Sequence, residues 1–121
     1  MTGKDLVVTF LTTFEQRDLV KASTYLAPGT IMTFPGNNKF KSLDEVVAWS
    51  KSRYKFMRKT YEHFDETERS GVTTIYCMGK LNGEGLDGNP ITNVRFIDRF
   101  DVMGGKIVDQ EVWNDLAEVR K

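Results

Sequence analysis

The spacing of apolar residues changes once along the chain, from a helical period to an alternating one. Near the start Leu6, Phe10 and Phe14 recur every four residues, with Val7 and Leu11 beside them, which predicts an amphipathic helix carrying an aromatic stripe. Thr2 followed by Asp5 suits its start as a capping pair. A second short helix is expected from Asp18, with Leu19, Ala22 and Leu26 inward and Pro28-Gly29 as its stop. Residues 30–34 form a short β-type run, and Pro35-Gly36-Asn37-Asn38 a turn. Ser42 with Glu45 makes a full capping box. The helix it opens carries Val46, Trp49, Arg53 and Phe56 on one side and is expected to end near Lys59.

From Thr60 the period is two. Residues 60–69 read as a polar strand closed by Ser70-Gly71, and residues 72–81 as a strand with an apolar middle. A glycine-rich connection follows over residues 82–90. Residues 91–115 then predict two long strands joined at Gly104-Gly105. In the first of these Val94, Phe96, Phe100 and Val102 alternate onto one face, and Asp98 interrupts the apolar row. A three-residue turn at Met103-Gly104-Gly105 would set Asp98 opposite Gln110, Phe96 opposite Val112 and Val94 opposite Asn114, with Arg99 facing Asp109 and Arg95 facing Trp113. A two-residue turn would bring Glu111 beside Asp98 instead, because a slip of one residue exchanges the two faces of a strand. Segregated helices followed by a meander predict an α+β domain with helices packed on one face of the sheet.

Composition narrows the function classes. The 121 residues make one domain, over residues 1–121. Seventeen basic and seventeen acidic residues cancel, which argues against a nucleic-acid or anionic-membrane surface and tolerates self-association. The first ten residues lack the apolar stretch of a signal peptide, so a cytoplasmic protein is expected. The single cysteine, Cys77, excludes an intrachain disulfide and reads as a small buried hydrophobe. One histidine, one cysteine and scattered carboxylates give no metal-ligand spacing.

The candidate chemistry is sparse. Residues 83–88 satisfy G-x-G-x-x-G, but a dinucleotide fingerprint requires a helix directly afterwards, and Asn89-Pro90 and a strand follow. No cofactor is therefore expected. Asp98 amid phenylalanines is either a general acid or base with a raised pKa or a structural carboxylate bonded to a neighbouring strand. His63 lies in alternation between Tyr61 and Asp65; it either shuttles protons toward Asp98 or sits at the surface among Glu62, Asp65 and Glu66. The basic run Lys51, Arg53, Lys55, Arg58 and Lys59 reads as a solvated helix end. Phe10, Phe14, Phe34, Trp49, Phe56, Phe96 and Phe100 are plain core or the lining of a cavity.

TYLAPGTIMTFPG after the second helix and RFIDRFDVMGGKIVDQEVWND at the end carry a resemblance that covers nearly the whole chain. In that layout the protein resembles the nuclear transport factor 2-like superfamily, and within it the SnoaL-like, polyketide cyclase-like proteins. The resemblance implies a cone-shaped, curved mixed sheet with three N-terminal helices packed on its concave face, and the short strand at Thr30 beside the last one. It implies a homodimer formed through the convex face, here Arg95, Ile97, Arg99, Glu111 and Trp113. Members include isomerases, epoxide hydrolases, cyclases, dehydratases and non-catalytic binders. Their catalytic positions are mostly absent. The ketosteroid isomerase relatives' oxyanion tyrosine falls at Phe10, their proton-shuttling aspartate at Phe34 and their second oxyanion residue at Phe96. The acid/base aspartate of the SnoaL-like cyclases and of limonene epoxide hydrolase falls at Val112, and that hydrolase's Arg-x-Asp pair has no equivalent in residues 72–81. Two functions follow as expectations. One is a cofactor-independent isomerase, cyclase, dehydratase or hydrolase acting on a small apolar molecule, with Asp98 as acid or base, His63 assisting, and Gln110 and Asn114 orienting the substrate. The other is a binding or accessory module that holds an apolar or amphipathic ligand without chemistry.

Overall fold

A computed structural model describes residues 1–119. Four helices and six strands follow one another: α1 (Gly3–Glu15), α2 (Leu19–Ser23), β1 (Leu26–Phe34), β2 (Asn38–Phe40), α3 (Leu43–Ser50), β3 (Tyr54–Arg69), β4 (Val72–Gly85), β5 (Pro90–Met103), β6 (Lys106–Asn114) and α4 (Leu116–Val119). The strands form one curved sheet in the order β2-β1-β6-β5-β4-β3, with β1 parallel to β6 and the other pairs antiparallel. The N-terminal helices cover its inner face. β2 and α4 lie beyond the elements expected from sequence. No helix among the described residues is long and apolar enough to cross a membrane.

Both capping pairs form. The Thr2 hydroxyl accepts from the Asp5 N–H at 3.1 Å while the Asp5 carboxylate accepts from the Thr2 N–H, and the Ser42 hydroxyl accepts from the Glu45 N–H at 3.3 Å. The stripe of α1 then buries Leu6, Val7, Phe10 and Leu11 against Ile75, Cys77 and Phe100 of the sheet. Each such large side chain contributes about 1.5–3 kcal/mol by leaving water.

The third helix departs from expectation. It stops at Ser50, not near Lys59, because Ser50 and Ser52 turn their hydroxyls back onto the carbonyls of Val47 and Trp49, at 2.8 and 2.7 Å. Such bonds satisfy the orphan carbonyls of a last turn and compete with its continuation. Tyr54, Phe56, Tyr61 and Phe64 then favour a strand, which pairs with β4 along nearly its whole length. The second helix also ends early, at Ser23, so Pro28-Gly29 falls within β1 at a register break between Leu26 and Ile31.

Two bulges shape β3, one between Tyr54 and Phe56 and one between Tyr61 and His63. Each adds a residue and reverses the alternation beyond it. Tyr54, Met57, Lys59, Tyr61 and Phe64 consequently lie inward, whereas Phe56 and His63 do not. Glycines on β4 make room for this path: a Cβ on Gly79 would collide with the Thr60 carbonyl oxygen, and one on Gly83 with that of Phe56.

The final hairpin corrects the expected register. Met103 pairs with Lys106 across a two-residue turn whose glycines, Gly104 and Gly105, have φ of 59° and 75°. Positive φ at both positions is the turn geometry that matches strand twist. An irregularity in β6 near Val108 then adds one residue. The result is a slide of two relative to the expected pairing, which keeps every face but changes every partner. Asp98 faces Val112, Phe96 faces Asn114, Phe100 faces Gln110, Arg99 faces Glu111 and Ile97 faces Trp113.

Candidate functional site

The helices and the inner face of the sheet enclose a cavity of about 90 Å³. Phe10 and Phe14 come from α1, Phe34 from β1 and Trp49 from α3; Gln110, Val112 and Asn114 come from β6. The aromatic rings pack on one another as well as on the void. Phe34 and Trp49 have centroids 5.4 Å apart, and Phe40 closes the triangle at 5.4 and 5.8 Å. Edge and tilted contacts of this kind add about 0.5–1.5 kcal/mol each, so this wall is held rigid. Of the aromatic residues expected at a ligand, Phe96 lies beneath the site without lining it, and Phe56 is 41 % exposed on the far side of β3, with the Arg58 guanidinium stacked on it.

Asp98 is 0 % exposed, the most buried carboxylate among the described residues, yet it does not itself line the cavity. Its partner is Lys59, which does line it. The Lys59 side chain runs over the Phe96 ring, with Nζ 5.0 Å from the centroid, and donates to Asp98 Oδ2. The Lys59 side chain is 21 % exposed, and Asp98 occupies one of the three N–H donors of its ammonium. Asp98 Oδ1 is buried without any hydrogen-bond partner among the described residues. Burial pushes the Asp98 pKa above the usual carboxylate range, against the pull of Lys59. Burial also works to lower the Lys59 pKa, but the charge and hydrogen bond of Asp98 outweigh it and leave the lysine above its ordinary value. The pair therefore titrates as a unit. Around it, burial raises Tyr61 and Cys77 to about 12 each, and the Asp98 charge adds to the shift at the thiol. Cys77 is thereby kept an unreactive thiol.

Gln110 supplies the second polar feature. It is 3 % exposed, it lines the cavity, and its side-chain amide makes no hydrogen bond among the described residues. Among the described residues only Asp98 Oδ1 is a buried polar atom without a partner, so the Gln110 amide atoms face accessible space in the cavity, where water or a ligand can pair with them. Asn114 is already partly used, since its Oδ1 accepts from the Leu116 N–H at 3.1 Å and starts α4.

His63 is not part of this site. The bulge at Tyr61 turns Phe64 inward in its place, and the imidazole Nε2 lies 2.9 Å from Asp65 Oδ1 at the surface. Lys59 is the residue that sequence reasoning missed. It belonged to a basic run assigned to a helix end, and no alternation is visible across the two bulges. A usable signal was present in Gly79 and Gly83, one of which lies opposite each irregularity.

No protein-family profile matches the sequence, and no curated protein does. Solved structures match it along nearly its whole length. An NTF2-like protein of unknown function from Burkholderia pseudomallei K96243 superposes with a TM-score of 0.76 at 21% identity, over 98% of this chain and 95% of that one. TerC, co-crystallized with polyporic acid, gives a TM-score of 0.76 at 15% identity, over 96% and 93% of the two chains. A protein from Jannaschia sp. CCS1 named for the SnoaL-like polyketide cyclases gives 0.68 at 15% identity, over 99% and 93%. The chain thus has the nuclear transport factor 2-like fold, as its sequence layout led us to expect.

Proposed function

We propose that the protein binds a small, largely apolar molecule in the cavity between α1, α3 and the sheet. In this reading an oxygen of the molecule, carbonyl or hydroxyl, meets the Lys59 ammonium and the Gln110 amide. The observation that carries the proposal is that an unpaired Gln110 amide and a lysine with unused donors line one largely apolar chamber. The small-molecule complex of TerC supports a ligand-binding use of the same fold. A panel of aromatic ketones tests this by thermal shift and tryptophan emission, since Trp49 is a wall of the cavity. Saturable binding is expected for at least one ketone, and Gln110→Leu should weaken it more than it weakens the parent hydrocarbon. Failure of every ketone to change either signal would sink the proposal.

A catalytic reading is favoured by the unpartnered Asp98 oxygen behind Lys59. A charged lysine is a poor nucleophile but a good donor to an oxygen that gains negative charge. Asp98 would then work through Lys59, holding its position and charge, in cofactor-independent isomerase, cyclase, dehydratase or hydrolase chemistry. On this reading Asp98→Asn loses turnover while ligand binding persists. The same ligand bound with no turnover across those reaction types leaves the binding module as the function.

A further inference from the structure

We propose that the ligand carries a negative charge, with its anionic group held at the mouth of the cavity by Arg17 and Arg53. The inference rests on the small-molecule reading above and narrows the class of molecule. Four charged side chains line the cavity: Glu15, Arg17, Arg53 and Lys59. Lys59 is paired with Asp98, and Glu15 has Arg58 at 3.7 Å and the Lys59 N–H at 3.4 Å. Neither arginine has a carboxylate partner among the described residues. The uncompensated charge facing the void is therefore positive.

Both guanidiniums are also held in place. That of Arg53 stacks 4.4 Å from the Trp49 ring centroid, and that of Arg17 lies 4.7 Å from the Phe14 centroid and donates to the Phe14 carbonyl at 3.0 Å. Stacking fixes the plane of a guanidinium while leaving N–H edges free for the forked bonds that carboxylates accept. Arg17 moreover has a φ of 64°, a left-handed conformation in which glycine would be the unstrained choice. The two rings beneath the arginines continue directly into the cavity wall. An aromatic acid would thus lay its body in the apolar chamber and its carboxylate on the guanidiniums that line it.

The test compares 2-naphthoate with neutral 2-naphthalenemethanol, which shares its ring system. Trp113→Phe removes the other tryptophan, so emission reports Trp49 alone. At low salt, where exposed charges are least screened, naphthoate should bind about tenfold more tightly than the alcohol. That preference should vanish in Arg17→Gln/Arg53→Gln, with the fold of the variant checked by its melting curve. Equal affinity for the two probes, or a preference that survives the double substitution, overturns the anionic assignment while the neutral probe's binding keeps the small-molecule reading. Binding of neither probe removes both.

Discussion

Replacing Lys59 by methionine should be the most informative single change in the protein. Lys59 is the sole hydrogen-bond partner of Asp98 among the described residues, and the second carboxylate oxygen already has none. The substitution keeps the length of the stem over Phe96 and removes the charge. It strands a carboxylate that is 0 % exposed. Taking one partner from a buried ion pair costs about 3–5 kcal/mol. For a domain of this size each kcal/mol lowers the melting temperature by about 4 °C, so a fall of about 12–20 °C is expected. The loss should also depend on pH. Without Lys59, burial acts on Asp98 unopposed, and its pKa in the folded protein rises further above the unfolded value. A group raised on folding adds stability that is present below its unfolded pKa and lost as pH climbs through its folded pKa. The deficit of Lys59→Met relative to the native protein should therefore be smaller at about pH 5 than at about pH 8. Lys59→Met/Asp98→Leu should recover most of the loss, because an apolar pair of similar volume costs little where an ion pair was buried. Urea and thermal melts followed by circular dichroism at both pH values measure all three quantities. A single-mutant loss below about 1 kcal/mol, or one identical at the two pH values, would refute the picture of an isolated carboxylate dependent on one lysine.

Gly79→Ala should cost about 3 kcal/mol or more, since the added carbon meets the Thr60 backbone rather than a side chain that can move; a chemical melt unchanged from native would contradict the bulge at Tyr61. The outer face of the sheet leaves Ile97 and Trp113 exposed side by side, in register with each other. We expect two copies to pair through it, so light scattering should report a dimer that Trp113→Glu converts to monomer, and a native monomer would end that expectation.

The sequence was most legible where local chemistry decides structure. Thr2 with Asp5 and Ser42 with Glu45 mark two helix starts, and the alternation through Phe96, Asp98 and Phe100 places the carboxylate on the inner face. Phe10, Phe14, Phe34 and Trp49 were recognisable as a possible cavity wall because each sits on the apolar side of its element. What stayed hidden depends on tertiary pairing. Residues 51–59 read as the continuation of a helix, so Lys59 looked solvated and Phe56 looked buried, and the two bulges of β3 hide the alternation that would have shown a strand. In the last hairpin the turn length and the irregularity near Val108 shift the register in ways that neither reveals alone. The inward set of Gln110, Val112 and Asn114 survived because a slide of two preserves sidedness. The charged lining was missed for a similar reason: Arg17 and Arg53 are far apart in sequence, and only the fold brings both to one cavity.

The parallel pairing of β1 with β6 has a bearing on how the protein comes into being. Thr30 hydrogen-bonds to the Ile107 carbonyl, 77 residues further on. At a ribosome adding roughly 5–20 residues per second, β1 waits about 4–15 s for the strand it needs. During that interval α1 and β1 have emerged without the sheet that buries them, and a greasy face stands open to any neighbour. Nascent chains should accordingly depend on holdase chaperones, and C-terminal truncations that remove β6 should aggregate rather than persist as smaller folded species.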